Sequence, residues 1–291
     1  GIEALHIDYQ VLPHACSVAD ALTLDQPLHA AYPDNVVRRF NAKRGDWQAA
    51  EQRVSTWVSG TFQTQAVPHA YLEPRATLVR VNGELLELVT GSHFPSVLAE
   101  TYREIVAGWG AQLEVVTPDI GGSFGAKWEH PTHLICLAFA QRLGCDVAMV
   151  LPRRDDMIAG RTRLAMRIQM RIGATDDGEL VAKETVLWAD NGAYSAHGSA
   201  VTLAAAIRMD NLYRFSALNA KAQLVYTNNI PSECFRGFGS PQSAFAQEQL
   251  IDELAERLGI DPIELRRRNA VRAGDTTLHG WQVGSCGFTE C

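Results

Sequence analysis

Asp119-Ile120-Gly121-Gly122-Ser123-Phe124-Gly125-Ala126-Lys127, the first glycine loop, is the stretch around which the rest of the chain is organised. It follows an apolar run at 113–116 that predicts a strand, and it precedes residues 131–140, which predict a helix. Three glycines in five residues allow a tight turn or a close approach of the backbone to a ligand. Glycines on both sides would hold Phe124 poorly unless its ring packs on a partner, and we expect that partner to be a bound group.

The composition excludes several classes of protein. The 291 residues, 46% of them hydrophobic, suffice for a sizeable core and one or two domains. The 33 acidic and 26 basic residues give a net charge of −7, which argues against a nucleic-acid or anionic-membrane partner, because no basic excess neutralises phosphates. The six cysteines form no CxxC pair, which favours free thiols in a reducing compartment and hence a cytoplasmic location. The histidines and cysteines show no metal-ligand spacing.

A second loop of the same kind is Phe235-Arg236-Gly237-Phe238-Gly239, the second glycine loop. It too lies between a predicted strand, at 224–227, and a predicted helix, which Ser240 should cap and Pro241 should open. Helix N-termini suit an anion or an oxo group, and Arg236 could add forked donors. Neither loop has the spacing of a P-loop or of a dinucleotide-binding fingerprint. Composition alone leaves two readings open: a binding device, or two tight turns that contain Phe.

The order of strands and helices predicts an α+β fold, with mixed two-layer sheets and packed helices, because no strict βαβ period is present. Asn82-Gly83 between two apolar runs predicts a hairpin. A short strand is expected at 7–13 and helical turns at 47–51, while the rest of 1–57 reads as irregular. The other predicted strands are at 54–65, 76–81, 85–90, 112–117, 146–151, 164–172, 180–189 and 224–227, and the helices begin near 95, 131, 240 and 262.

Four motifs, in order along the chain, resemble the large subunit of the xanthine dehydrogenase and aldehyde oxidase family of molybdenum hydroxylases. They are His69-Ala70-Tyr71-Leu72-Glu73-Pro74, the first glycine loop, Ala189-Asp190-Asn191-Gly192-Ala193-Tyr194 and the second glycine loop continued by Ser240-Pro241-Gln242. The tail from Ile251 to Asn269 is similar to that family as well. The resemblance runs from about residue 5 to the end. Its specificity comes from the shared order, because each motif alone is short.

The resemblance implies a domain division and a set of cofactors. Residues 1–57 would be the end of a preceding, hammerhead-like domain plus a connector, and 58–291 the first molybdopterin-binding domain. The molybdenum would be held by the pterin and not by side chains. Iron–sulfur clusters and FAD would lie on other domains or subunits, so the expected partners are the remainder of the large subunit, iron–sulfur and flavin subunits or domains, and a small-molecule substrate. The family's catalytic Glu would lie beyond residue 291, so we assign no catalytic residue here and expect a fragment that is inactive alone.

The resemblance also assigns residues to the site. Cofactor contacts would come from His93, Gly122, Ser123, Phe124, Gly125, Arg236 and Gly237. His93 takes the position of a family Gln that hydrogen-bonds a molybdenum oxygen; imidazole can donate one such bond, and the alternative is an ordinary satisfied polar residue.

The predicted substrate pocket consists of Trp128, Ala204 and Phe238. Purine-oxidising members have a Glu directly after the loop lysine, where this chain has Trp128, with Glu129 one place later. Ala204 takes the place of their Arg, counted back from Met209-Asp210-Asn211. The more apolar pocket favours an aldehyde, an aromatic N-heterocycle or an aromatic thioester over xanthine, hydroxylated with water as the oxygen source. The alternatives are a non-catalytic molybdopterin-binding or carrier module, and an interaction domain with glycine turns.

Overall fold

A computed structural model describes residues 4–208 and 212–291. The Met209-Asp210-Asn211 segment, from which position 204 is counted, lies outside the described residues. Contacts divide the chain into two compact units: unit 1 takes its described residues from 1–64, 165–231 and 240–291, and unit 2 consists of 65–164 and 232–239. Among residues 4–208 and 212–291, no helix is both long enough and apolar enough to cross a membrane.

Helices and strands alternate irregularly along the chain, which confirms the α+β class. In chain order the elements are α1 (Val18–Thr23), β1 (Val36–Arg44), α2 (Trp47–Gln52), β2 (Thr56–Thr64), β3 (Val67–Pro68), β4 (Ala76–Asn82), β5 (Leu85–Thr90), α3 (Pro95–Gly108), β6 (Gln112–Val116), α4 (Pro131–Leu143), β7 (Val147–Val150), α5 (Arg153–Ala159), β8 (Thr162–Arg163), β9 (Met166–Ala174), β10 (Leu180–Gly192), α6 (Gly198–Ile207), β11 (Ala217–Tyr226), β12 (Ser232–Glu233), α7 (Ser240–Leu258) and α8 (Pro262–Asn269).

Unit 2 contains both glycine loops and is built on a four-stranded sheet with the order β6-β5-β4-β7. The predicted hairpin is confirmed: Asn82 pairs with Leu85, and Gly83 turns the chain with φ +60°. Helices α3 and α4 pack on this sheet, and their buried residues form one core with the inward side chains of β4 and β5. The first glycine loop connects β6 to α4, so both of its ends are anchored on this core.

A second, three-stranded sheet of unit 2 has the order β12-β8-β3. Ser232 pairs with Thr162 and Glu233 with Arg163 in parallel register. Since β12 ends directly before the second glycine loop, this short ladder holds the start of that loop beside β8.

Unit 1 is built on a five-stranded sheet with the order β1-β11-β10-β9-β2. The predicted hairpin of β9 and β10 is confirmed, with Arg167 and Gln169 exposed between buried neighbours. Helix α7 packs on β2 and β9 and buries Leu250, Ile251 and Leu254 completely. It begins at Ser240 itself, one residue earlier than predicted.

The structure corrects several predicted elements. Residues 7–13 belong to no strand, because no other strand of the described chain pairs with them. Conversely, residues 36–44, expected to be irregular, form β1, whose charged residues hide its alternation. Strand β11 spans Ala217–Tyr226 and not only 224–227. The prediction missed its first half because the alanines there give no clear alternation of apolar and polar residues. Helices α1, α5 and α6 were not predicted.

The predicted domain boundary at residue 57 rests on the resemblance to the family, and it stays a prediction. In the structure, β1 pairs with β11 in antiparallel register from Val36 to Arg44. A cut at residue 57 would therefore separate an outer strand from the sheet of unit 1.

Candidate functional site

The first glycine loop has an unusual backbone. Gly122 and Gly125 have φ values of +93° and +108°, and Phe124 between them has φ +55°. A Cβ on Gly125 would lie 2.5 Å from the carbonyl oxygen of Cys234, so a larger residue does not fit there. Left-handed conformations of non-glycine residues cluster at functional sites, where the surrounding structure enforces them. Glycine is therefore required at 125 both for its conformation and for space.

Glu73, from the first of the four motifs, anchors this loop. Its carboxylate accepts the N–H of Gly121 at 2.8 Å and pairs with the ammonium group of Lys127, which is 2% exposed. The hydrogen bond from Lys127 holds the pKa of Glu73 below its usual value, so the carboxylate stays ionised. Ser123 Oγ in turn accepts the N–H of Lys127 at 2.9 Å. The loop is thus tied at both ends by side chains.

The middle of the loop presents a row of free donors. The backbone N–H groups of Gly122, Ser123, Phe124 and Gly125 have no hydrogen-bond acceptor among residues 4–208 and 212–291. Successive N–H groups in such turns form a concave site for anionic or oxo groups. Ser123 is 3% exposed, so an unpaired N–H at this residue is costly, and an external acceptor would remove that cost.

The second glycine loop repeats this backbone and meets the first. Gly237, Phe238 and Gly239 have φ values of +92°, +51° and +89°. The N–H of Arg236 donates to the carbonyl of Phe124 at 2.8 Å. Cys234, just before the loop, donates its thiol hydrogen to the carbonyl of Gly125 at 3.3 Å. The structure therefore brings together the two loops that the sequence analysis paired.

Aromatic and cationic side chains support the second loop. The ring of Phe235 stacks on His69 at 4.4 Å between centroids, and the guanidinium of Arg163 lies 3.9 Å from the same ring. Arg163 Nη2 donates to the carbonyl of Arg236 at 3.0 Å. Burial lowers the pKa of His69, which favours the neutral ring, and its Nε2 and Nδ1 lie 2.8 Å and 3.2 Å from the carbonyl oxygens of Cys234 and Arg161. Burial also raises the pKa of the Cys234 thiol to about 12, which keeps it a donor.

The remaining predicted cofactor residues lie at or beside these loops. The Arg236 side chain is exposed, and its guanidinium makes no hydrogen bond or ion pair with the residues that the structure describes. The N–H of His93 donates to the carbonyl of Lys127 at 3.1 Å, while its ring is exposed. His93 is therefore next to the first loop, and its predicted contact with a cofactor stays a prediction.

The predicted pocket residues fall in both units. Trp128 directly follows the first loop and packs on Phe94, with ring centroids 4.5 Å apart. Phe238 lies in the second loop. Ala204 lies in unit 1, where it is buried on α6.

Sequence reasoning missed a buried polar network behind the first loop. Arg75 is 3% exposed, and its Nη2 donates to the carbonyl of Ala126 at 3.0 Å. The guanidinium of Arg75 also pairs with Asp156, which accepts the hydroxyl of Tyr71 at 2.7 Å. Asp156 is 81 positions from Arg75, so no spacing in the sequence relates the two. The only available signal was the presence of Tyr71 inside the motif at 69–74 and of Arg75 directly after it.

Comparison with known proteins identifies the family of the chain. A family model described as a molybdopterin cofactor-binding domain matches residues 28–270. The chain is 30% identical over 275 residues to the nicotinate dehydrogenase large molybdopterin subunit of Eubacterium barkeri, covering 94% of this chain and 64% of that protein. It is 29% identical over 293 residues to a putative xanthine dehydrogenase molybdenum-binding subunit of Escherichia coli K12, covering 99% of this chain and 39% of that protein.

Two solved structures share the fold. Quinoline 2-oxidoreductase from Pseudomonas putida 86 matches with a TM-score of 0.87 and 27% identity, over 95% of this chain and 36% of that chain. Aldehyde oxidoreductase from Desulfovibrio gigas matches with a TM-score of 0.85 and 28% identity, over 94% of this chain and 30% of that chain. The chain thus spans between 30% and 64% of the length of the proteins named here.

Proposed function

Because the chain belongs to the molybdopterin cofactor-binding domain family, we propose that it is part of a molybdenum-dependent hydroxylase and contributes two glycine loops to the cofactor site. The observation that carries this proposal is the row of four unbonded N–H groups from Gly122 to Gly125, next to the second loop. Such donors fit the oxygen-rich surface of a molybdopterin and its metal-bound oxygens. When bound, this cofactor supplies the redox chemistry that hydroxylates an electron-poor carbon with oxygen from water.

Each predicted residue has a role in this proposal. The backbone of Gly122, Ser123, Phe124 and Gly125 would donate hydrogen bonds to the cofactor, and the ring of Phe124, which is 44% exposed, would cover it. Arg236 adds a free guanidinium from the second loop, and Gly237 allows a close approach. His93 adds an imidazole donor beside the first loop. The catalytic base is expected from another part of the complete protein.

An aldehyde or an aromatic N-heterocycle is the proposed substrate class, and xanthine is not. Trp128 and Phe94 pack as an apolar aromatic pair at the position where purine oxidisers are expected to have a carboxylate. Ala204 offers no polar group, and Phe238 would add an aromatic wall. The relatives named for nicotinate, quinoline and aldehydes are consistent with this class.

Partners and location follow from the same proposal. The complete protein would pass electrons to iron–sulfur clusters and FAD on other domains or subunits, and the remainder of the large subunit would close the cofactor site. The residues 1–57 would end a preceding domain, and 58–291 would form the first cofactor-binding domain. A cytoplasmic location agrees with the cysteine content.

Metal and pterin analysis of the complete protein tests the proposal. We expect close to stoichiometric molybdenum and pterin, with turnover of aldehydes or N-heterocycles in ¹⁸O-labelled water that places the label in the product. Full cofactor content without turnover of any of these substrates would instead support the carrier module, which the departures at His93 and Trp128 favour. Absence of molybdenum, in cells that load a related enzyme, would contradict both.

A further inference from the structure

Arg161 forms hydrogen-bonded ion pairs with a residue beside each glycine loop. Its Nη2 donates to Glu129 Oε1 at 2.8 Å, and its Nη1 donates to Glu233 Oε2 at 2.8 Å. Glu129 lies two residues after the first loop, and Glu233 lies two residues before the second. We call these three residues the Arg161 triad. All three belong to unit 2.

The triad is rigid for two reasons. A guanidinium presents its donors in a fixed planar fork, so two carboxylates bonded to it keep a fixed separation. Glu233 is fully buried, and its second oxygen accepts the N–H of Cys234 at 2.9 Å. Glu233 is also held through its backbone, which pairs with Arg163 in β8. A shift of either loop would therefore strain the hydrogen bonds of Arg161.

The ion pair with Arg161 also restricts the side chain of Glu129. Glu129 is one place later than the carboxylate that purine oxidisers are expected to use. In this structure its carboxylate accepts from Arg161, and its neighbour Trp128 packs on Phe94. The bond from Arg161 holds Oε1 of Glu129 and fixes the orientation of the carboxylate, so the side chain would have to leave the triad in order to turn toward a substrate.

We propose that Arg161 is a positioning residue that sets the spacing of the two glycine loops, and that Glu129 serves this triad and does not bind substrate. The inference rests on the proposed function, because spacing of the loops matters only if both contact one cofactor. Arg161 would act through the contacts between Arg236 N–H and the Phe124 carbonyl and between Cys234 and Gly125, since its own guanidinium bonds Glu129 and Glu233.

The test compares Arg161→Met with a matched variant, Arg266→Met, in the complete protein. Arg266, in unit 1, likewise bonds two carboxylates, Glu248 at 2.9 Å and Asp252 at 2.6 Å, and its side chain is 21% exposed against 18% for Arg161. We expect Arg161→Met to lower the molybdenum and pterin content about tenfold, as loss of supporting contacts does at metal sites, while Arg266→Met keeps the wild-type content. Arg161→Lys, which keeps the charge but not the fork, should recover part of the content.

Amide hydrogen exchange of the cofactor-free protein provides a second readout. Residues 121–126 and 234–238 should exchange faster in Arg161→Met and Arg161→Lys than in wild type, and at the wild-type rate in Arg266→Met. Wild-type cofactor content in Arg161→Met, or equal losses in both methionine variants, would overturn the proposal. Absence of molybdenum from wild type would contradict the proposed function alone, and the exchange rates would still decide the role of Arg161.

Glu129→Gln tests the second half of the proposal. We expect a lower cofactor content and an unchanged KM, because the amide weakens the triad and leaves the substrate contacts of the loaded enzyme intact. A raised KM at full cofactor content would make Glu129 a substrate contact and would overturn this half.

Discussion

Phe124 and Phe238 are two of the four non-glycine residues with positive φ that the described chain contains, beside Asn35 and Ala70. Each such residue costs about 1–3 kcal/mol relative to an ordinary conformation. Both phenylalanines lie in the glycine loops, where the contact of Arg236 with the Phe124 carbonyl helps to hold them. The strain is therefore concentrated where the proposed cofactor binds.

Gly125→Ala should destabilise the protein more than an ordinary glycine substitution. Its Cβ would meet the Cys234 carbonyl at 2.5 Å, so the two loops must separate. We expect the free energy of unfolding to fall by roughly 3 kcal/mol, from strain and overpacking together. Urea denaturation of the cofactor-free protein measures it.

The matched control is Gly144→Ala at the end of α4. Gly144 has φ +64°, but nothing lies within 4 Å of an added Cβ. We expect a loss of about 1 kcal/mol from the backbone conformation alone. Equal losses at positions 125 and 144 would mean that the loops are not closely packed.

Acidification should destabilise the protein through two buried histidines. Burial, and then Arg75, lowers the pKa of both His130 and His133 to about 3, against an ordinary value of 6.5. Below pH 6.5 the unfolded chain takes up protons that the folded chain does not, so stability falls as pH falls toward 3. At pH 5 each histidine should lower the free energy of unfolding by about 2 kcal/mol relative to pH 7.5.

Thermal unfolding between pH 7.5 and 5 measures this dependence. His130 caps α4 by accepting the N–H of Thr132, and Asn is also a good N-cap residue. His130→Asn should therefore keep the helix and flatten the pH dependence. An unchanged slope in this variant would assign the acid sensitivity to other groups.

Among the secondary-structure elements, β1 completes the sheet of unit 1, although its sequence lacks the alternation typical of a strand. It pairs from end to end with β11, and its first residue, Val36, packs with Ala15, Ala21 and Val225 in a small core. Outer strands need only their backbone and one apolar face, so their side chains carry little alternation. For this reason, the charged stretch 36–44 was interpreted as part of an irregular connector.

Two fragments separate the structural role of β1 from the predicted domain boundary. Fragment 15–291 keeps β1 and its small core, and we expect it to unfold cooperatively. Fragment 58–291 lacks both, leaves β11 unpaired on one side, and should lose its cooperative unfolding transition in differential scanning calorimetry. A stable, cooperative fragment 58–291 would support a domain boundary near residue 57.

The sequence correctly predicted the features that depend on residues close together in the chain. Asn82-Gly83 fixes a hairpin by backbone geometry, and both glycine loops carry their positive-φ residues within five positions. The Arg161 triad was not predictable, because Arg161 is 32 residues from Glu129 and 72 from Glu233. The alanines of β11 and α6 give no periodic alternation of apolar and polar residues, so α6 and the first half of β11 were missed. The sequence therefore predicted the two glycine loops but not the contacts that hold them together.

At the scale of the whole molecule, cofactor binding should add stability. In the proposal, the N–H groups of Gly122 to Gly125 donate to the cofactor in the folded protein alone, so binding favours the folded state. A cofactor at a thousand times its Kd would add about 4 kcal/mol. Calorimetry of loaded and cofactor-free complete protein, at equal concentration, should give a higher Tm for the loaded form.

Hydrogen exchange locates this gain. Protection should increase at 121–126 and 234–238 and should change little at 166–174 in β9. An identical Tm for both forms, despite different molybdenum contents, would show that these loops do not bind the cofactor.

Strand β1 has one further consequence, for association between copies of the chain. It is the outer strand of its sheet, and four of its nine residues are exposed cations: Arg38, Arg39, Lys43 and Arg44. An open strand edge is a template for pairing with another chain, and like charges oppose that pairing. In a protein with a net charge of −7, this positive edge would repel an identical edge while remaining attractive to acidic surfaces. The same strand that completes the sheet thus protects it from edge-to-edge aggregation.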